Sequence, residues 1–131
     1  MHRLFIVLLG IAATTVAATS SSSGDAVAGK QVYASCLGCH SPQRDRTGPR
    51  HCGLIGRGAG SVPGFDYSDA MRDSEIVWSA ATLDRFLKSP MTYIPGTRMG
   101  IRGIKDSDRR SDLIAYLQEM SDSPDVCEVT P

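Results

Sequence analysis

The chain has 131 residues, in which 14 Lys and Arg side chains balance 14 Asp and Glu side chains. This length allows a single domain of modest size, and the balanced charge argues against DNA, RNA or a strongly anionic membrane as a partner. The sequence holds only three lysines, at positions 30, 88 and 105, and no basic cluster.

The first segment has the features of a secretory signal peptide. Arg3 supplies a positive start, residues 4–18 are apolar or small, and Val16-Ala17-Ala18 fits the small-residue cleavage pattern. The segment is too short for a stable membrane span. We therefore predict cleavage after residue 18, export to the periplasm and no membrane insertion afterwards, with an uncleaved anchor as the alternative. The Ser-rich residues 19–24 predict a flexible tether.

Helical patterns follow, and no alternating strand pattern is present. Asp25 is a good N-cap for a helix that ends near Cys36, and apolar spacing predicts further helices over 68–73, 82–89 and 106–121. Gly29 costs about 1 kcal/mol inside the first helix, which a close crossing of another helix would explain. The sequence predicts an all-α domain over 25–121 and a tail over 122–131.

Between the first two helices, residues 41–67 are rich in Gly and Pro and lack any sustained periodicity. A long irregular loop is uncommon inside a compact domain. It suggests here that the chain wraps around something that is not protein.

Residues 36–40 read Cys-Leu-Gly-Cys-His, the C-x-x-C-H pattern of c-type haem attachment. The thiols of Cys36 and Cys39 are spaced to bond the two vinyl groups of one haem, and the imidazole of His40 then faces the iron. A thioredoxin-like redox pair would need a βαβ pattern, and a zinc site would need a second ligand pair. Both are absent, so we predict one covalent haem c.

The second axial ligand of the iron has several candidates in the sequence. Met99 lies in a Pro- and Gly-bounded loop that can present its side chain without helical constraint, whereas Met120 lies on the core face of the last helix, where methionine usually packs. Met71, Met91 and His51 are the other candidates. A methionine opposite histidine would raise the reduction potential.

These residues resemble class I cytochrome c, of the mitochondrial and bacterial cytochrome c2 type, over residues 24–120. Besides C-x-x-C-H, the resemblance rests on Gly24-Asp25-Ala26-Val27-Ala28-Gly29, Thr47-Gly48-Pro49, Gly56-Arg57, Pro63-Gly64-Phe65, Trp78 and Tyr93-Ile94-Pro95-Gly96-Thr97-Arg98-Met99. It implies a monomer in which the N- and C-terminal helices cross and irregular loops enclose the haem. It also implies that Met99 is the second axial ligand.

The resemblance assigns roles to further residues. Pro49 would accept a hydrogen bond from the ring of His40, and Gly29 would meet Tyr116 where the first and last helices cross. The remaining haem-pocket residues that it implies are Arg57, Tyr67 and Trp78 around one buried propionate and Thr97 near the other. Without the resemblance, Tyr67 and Trp78 would be ordinary core aromatics.

Four features depart from the family pattern. Phe86 stands where many relatives have a tyrosine that hydrogen-bonds the methionine sulfur, and Ile101 replaces an aromatic residue near the exposed haem edge. The scarcity of lysine puts docking through a ring of lysines in doubt. Finally, Cys52 stands where the family pattern often has histidine, and Cys127 follows the last helix. We therefore hypothesise a Cys52–Cys127 disulfide in the oxidising periplasm.

The expected function is the transfer of single electrons between redox partners, with no catalytic residues. The partner could be a membrane cytochrome complex, an oxidase or one dedicated periplasmic dehydrogenase. An enzyme or gas-binding haem protein is the alternative, and it would leave one coordination position of the iron open.

Overall fold

The computed structural model describes residues 24–128, which form a helical domain without β-strands. One isolated antiparallel bridge joins Gly58 to Val77. The helices in this part of the chain are α1 (Ala26–Tyr33), continued by a 3-10 turn (Ala34–Cys36), α2 (Asp69–Arg72), α3 (Ala80–Lys88), α4 (Pro90–Tyr93), α5 (Ser107–Ser121) and α6 (Pro124–Cys127). The prediction of an all-α fold is confirmed.

Side chains that accept hydrogen bonds from the first free amides set the helix starts. A carboxylate oxygen of Asp25 accepts from the amide of Val27 at 2.8 Å, as predicted for the N-cap of α1. Helix α3 begins two residues before the predicted position because Ser79 and Thr82 form a capping box. Pro90 opens the short α4, where its missing N–H costs nothing.

Helices α1 and α5 cross in direct backbone contact at Gly29. A Cβ atom at that position would lie 1.9 Å from the carbonyl oxygen of Asp112 and 2.8 Å from the Cβ of Tyr116. The amide of Asp25 also donates to the carboxylate of Asp112 at 2.7 Å. The predicted crossing of the first and last helices is therefore confirmed, and the contact explains the glycine inside α1.

An ion pair between a buried arginine and a half-exposed aspartate joins α5 to α3. The side chain of Arg110 is almost fully buried and donates from Nε to the carboxylate of Asp84 at 2.6 Å. Its Nη1 donates to the carbonyl oxygens of Ile104 and Lys105. These partners compensate for burial of the charge, and they fix the loop that leads into α5.

The end of α5 holds the loop that follows the C-x-x-C-H segment. The amide of Gly53 donates to the carbonyl oxygen of Ser121 at 2.8 Å, and the amide of Ile55 donates to the hydroxyl of Ser121 at 3.0 Å. Nearby, the Sγ atoms of Cys52 and Cys127 lie 2.05 Å apart. The tail therefore packs beside this loop.

The predicted signal peptide and residues 19–23 lie outside the described part of the chain. Within residues 24–128, no helix combines the length and the apolar character needed to cross a membrane.

Replacement of Gly29 by alanine should destabilise the protein by about 2–3 kcal/mol, because the added methyl group forces α1 away from α5. Gly58→Ala is the matched control, since its Cβ would meet nothing closer than 3.7 Å, and its effect should stay within about 1 kcal/mol. Denaturant unfolding of the haem-loaded proteins measures both values. Equal stabilities would contradict the close crossing.

Candidate haem site

A cavity of about 890 Å³ opens between the helices and the irregular loops. This size is typical of a cofactor pocket. The residues that the sequence proposed for haem binding all line it: Cys36, Cys39, His40, Pro49, Arg57, Tyr67, Trp78, Thr97 and Met99. Leu83, Phe86, Leu113 and Leu117 add apolar walls from α3 and α5. The loops thus enclose a largely apolar space with a few polar groups facing it.

A tight turn brings the C-x-x-C-H residues together at the wall of the cavity. The amides of Cys39 and His40 both donate to the carbonyl oxygen of Cys36, at 3.0 and 2.9 Å. Cys39 is exposed and Cys36 is partly buried, and burial raises the pKa of the Cys36 thiol. Two thiols and one imidazole therefore occupy one stretch of the cavity wall.

Backbone groups around His40 fix the orientation of its ring. Nδ1 lies 2.8 Å from the carbonyl oxygen of Pro49 and donates a hydrogen bond to it. Nε2 is therefore the nitrogen that is free to bind a metal. A Cβ at Gly48 would lie 2.3 Å from Cε1 of the ring, so only glycine fits beside it. Burial lowers the pKa of His40, although the bond to Pro49 opposes this. The imidazole is therefore held in the neutral form that binds a metal.

Tyr33 and His51 lie behind His40. The sequence did not predict that either residue would lie beside this histidine. The rings of His51 and His40 are stacked, with centroids 4.2 Å apart and planes inclined by 25°. The hydroxyl of Tyr33 lies 3.0 Å from Nδ1 of His51. Burial, with the neighbouring His40 and Arg57, lowers the pKa of His51 to about 3. His51 is thus a neutral neighbour of His40, placed on the same side of the cavity.

The candidates for the second axial ligand differ in their position. Met91 is 51% exposed and Met120 is 2% exposed in the protein core, and neither of them lines the cavity. Met71 and Met99 both line it. Met71 is fixed in the short α2, whereas Met99 lies in an irregular loop.

The loop that carries Met99 is held in place by its neighbours. The amide of Met99 donates a hydrogen bond to the hydroxyl oxygen of Thr97 at 3.3 Å. Arg98 donates to the carboxylate of Asp66 at 2.8 Å and to its carbonyl oxygen at 2.9 Å. Gly96 has φ +95°, a backbone conformation that favours glycine. The thioether of Met99 is thereby presented on a fixed loop.

Arg57 carries the clearest unpaired polar group of the site. Its two terminal nitrogens donate to the carbonyl oxygens of Cys52 and Arg50, at 3.0 and 2.8 Å. Its Nε is buried and has no hydrogen-bond partner among the described residues. An unpaired buried donor is costly, and a carboxylate of a ligand in the cavity would pair with it.

Tyr67 and Trp78 are both buried beside the same cavity. Together with the thiols, the neutral imidazole and the free donor of Arg57, they fit a covalently bound haem with an inward-facing propionate.

Comparison with known proteins agrees with this geometry. The cytochrome c family model matches residues 26–121. Cytochrome c2 of Rhodomicrobium vannielii is 40% identical over 120 residues, covering 89% of this chain and 95% of the relative. Cytochrome c type-1 of Ascaris suum is 45% identical over 104 residues, covering 77% of this chain and 93% of the relative.

Among solved structures, cytochrome cH from Methylobacterium extorquens superimposes with a TM-score of 0.71 at 38% identity. The match covers 72% of this chain and 98% of that one.

The chain therefore belongs to the cytochrome c family and has the class I fold. Members of this family carry covalently attached haem c and serve as monohaem electron carriers rather than enzymes. The predictions of a haem c cofactor and of an electron carrier are therefore confirmed.

Proposed function

We propose that this protein is an exported electron carrier whose haem is bound to Cys36 and Cys39, with His40 and Met99 as the axial ligands. The observation that carries the proposal is the convergence of these four side chains on one cavity. The haem supplies an iron that alternates between the ferric and ferrous states and so holds one electron at a time.

The chain's own residues determine how that iron would be used. The Pro49 carbonyl and the Gly48 backbone hold His40 in place, and the fixed loop presents Met99. With the imidazole of His40 and the thioether of Met99 as its ligands, the iron would have no open position for a substrate. This set of ligands favours electron transfer over catalysis at the metal, whereas an enzyme or a gas-binding protein would need an open coordination position.

We place the carrier in the periplasm on the strength of the signal-peptide pattern in residues 1–18. Bacterial cytochromes c2 among the relatives support the same location. The expected partners are a membrane cytochrome complex, an oxidase or a periplasmic dehydrogenase. Contacts with them should be small and short-lived, as suits a carrier that visits two partners in turn.

Acid-acetone extraction of protein matured in a haem-competent host tests the attachment. We expect the haem to stay with the protein, and the intact mass to equal the mature chain plus one haem. Cys36→Ala and Cys39→Ala should each leave a single thioether, and the double variant should release all its haem on extraction. Full extraction of the wild-type haem, or an unmodified apo mass, would contradict the proposal.

Substitution of Met99 tests the second axial ligand. Met99→Ala should abolish the weak red methionine–iron absorption band of the ferric protein, produce high-spin iron and allow added imidazole to bind. Met91→Ala is the matched control, because its side chain is 51% exposed and lies outside the cavity. Retention of the red band in Met99→Ala, with its loss in Met71→Ala, would identify Met71 instead.

We further propose that Cys52 and Cys127 form a disulfide, because their Cα atoms lie 5.5 Å apart and export exposes them to an oxidising compartment. The bridge would close a loop over a sequence separation of 75 residues. The chain-entropy argument gives a stabilisation of about 4 kcal/mol.

The double variant Cys52→Ser/Cys127→Ser should lose about this much stability in denaturant unfolding, while its haem content is unchanged. Thiol alkylation supplies a second measurement: we expect two additional thiols in the denatured haem protein after reduction. Equal numbers before and after reduction would exclude the bridge.

A further inference from the structure

Two polar side chains that the electron carrier's known chemistry does not require form a chain of contacts behind His40. Tyr33, at the end of α1, is 3% exposed, and its hydroxyl lies 3.0 Å from Nδ1 of His51. The His51 ring stacks on the His40 ring, with centroids 4.2 Å apart. The contacts therefore run from the first helix, through His51, to the imidazole that faces the cavity.

We propose that Tyr33 and His51 together position the His40 ring and stabilise the ferric state of the protein relative to the ferrous state. His51 acts as a positioning residue, and Tyr33 holds it in place. The inference rests on the proposed function, since it takes His40 as an axial ligand.

The polarity of the pair argues against simple packing. Apolar side chains could fill the same space without burying polar atoms, and a buried hydroxyl or imidazole that lacks a partner is costly. Here the hydroxyl of Tyr33 and Nδ1 of His51 satisfy each other across a sequence separation of 18 residues. Such a pair fixes the plane of the His51 ring more firmly than apolar contacts would.

The stacked arrangement gives the preference for the ferric state. The hydroxyl of Tyr33 occupies Nδ1 of His51 at 3.0 Å, and the two imidazoles are stacked, so His51 presents its ring face rather than a ring nitrogen to His40. The face of an aromatic ring is the negative side of its π system and attracts positive charge. Oxidation adds one positive charge to the iron, which is shared with the coordinated imidazole. The contact therefore stabilises the oxidised form more than the reduced form.

The stack also limits rotation of the His40 ring. The bond from Nδ1 to Pro49 fixes one point of the imidazole, and the backbone of Gly48 lies close to Cε1. The nearly parallel ring of His51 adds a flat surface that defines the plane. The orientation of the axial imidazole relative to the haem should therefore depend on His51.

Spectroelectrochemical titration of the haem-loaded protein tests the inference. For His51→Leu we expect the ferrous-to-ferric ratio at a fixed potential to rise about two- to fivefold, the effect of losing one contact with an aromatic face. Tyr33→Phe removes one oxygen atom and should change the ratio in the same direction by less. In the His51→Leu background, Tyr33→Phe should have no further effect, because the hydroxyl acts through His51.

Tyr116→Phe is the matched control. Tyr116 packs against Tyr33, with ring centroids 5.1 Å apart, and its hydroxyl makes no hydrogen bond to another described residue. Its loss should leave the potential unchanged. In the ferric protein, proton NMR should show altered hyperfine shifts of the haem methyl groups for His51→Leu, and wild-type shifts for Tyr116→Phe.

A Tyr33→Phe potential equal to that of Tyr116→Phe would overturn the inference, as would a lower potential in either Tyr33→Phe or His51→Leu. Tyr33→Phe decides the matter alone if His51→Leu fails to fold. The red methionine–iron band of the wild-type protein separately tests the proposed function. A normal band with unchanged potentials therefore refutes only the role of Tyr33 and His51.

Discussion

The structure depends most on one constraint, which is that apolar side chains from separate elements pack together around a common cavity. Leu83 and Phe86 of α3, Leu113 and Leu117 of α5, and Leu54 of the preceding loop all contribute to its walls. A domain of this size has a limited core of its own. The group that fills the cavity therefore completes the core, and the irregular loops find their packing partner in it.

The rest of the fold anchors the ends of those loops. The Gly29 crossing joins the first and last helices, and the ion pair between Arg110 and Asp84 joins α5 to α3. Ser121, at the end of α5, holds the loop that leads away from His40. With these points fixed, residues 37–68 can follow the shape of a flat cofactor and need no regular secondary structure.

Local patterns in the sequence predicted the features that depend on neighbouring residues along the chain. The C-x-x-C-H segment, the N-cap at Asp25 and the glycine at the helix crossing could all be read from spacing and residue type. Helix α3 starts two residues before the predicted position, because the capping box at Ser79 sets its start and apolar periodicity does not reveal that cap. The sequence does not predict the short α4 and α6, because four residues carry too little periodicity and neither helix has the side-chain N-cap that Ser68 gives to α2.

The place of His51 could not be read from the sequence at all. It is one of three histidines in the sequence, and the sequence made it a candidate for the second axial ligand. Its actual neighbours, Tyr33 and His40, come from a helix and from a turn, and only the path of the loop brings the three rings together. The choice between Met71 and Met99 likewise depends on the cavity as a whole, and the resemblance to cytochrome c favours Met99.

The nearness of Cys52 to Cys127 has a consequence for how the molecule matures. The four thiols of the chain can pair in three ways, and the pairing of Cys36 with Cys39 would block the two sulfurs that the proposed thioether bonds need. Cys127 is made last, after the other three have already left the ribosome. With the proposed disulfide and haem attachment, correct assembly would require a sorting step in which one pair of sulfurs is kept reduced for the porphyrin while the other pair is oxidised.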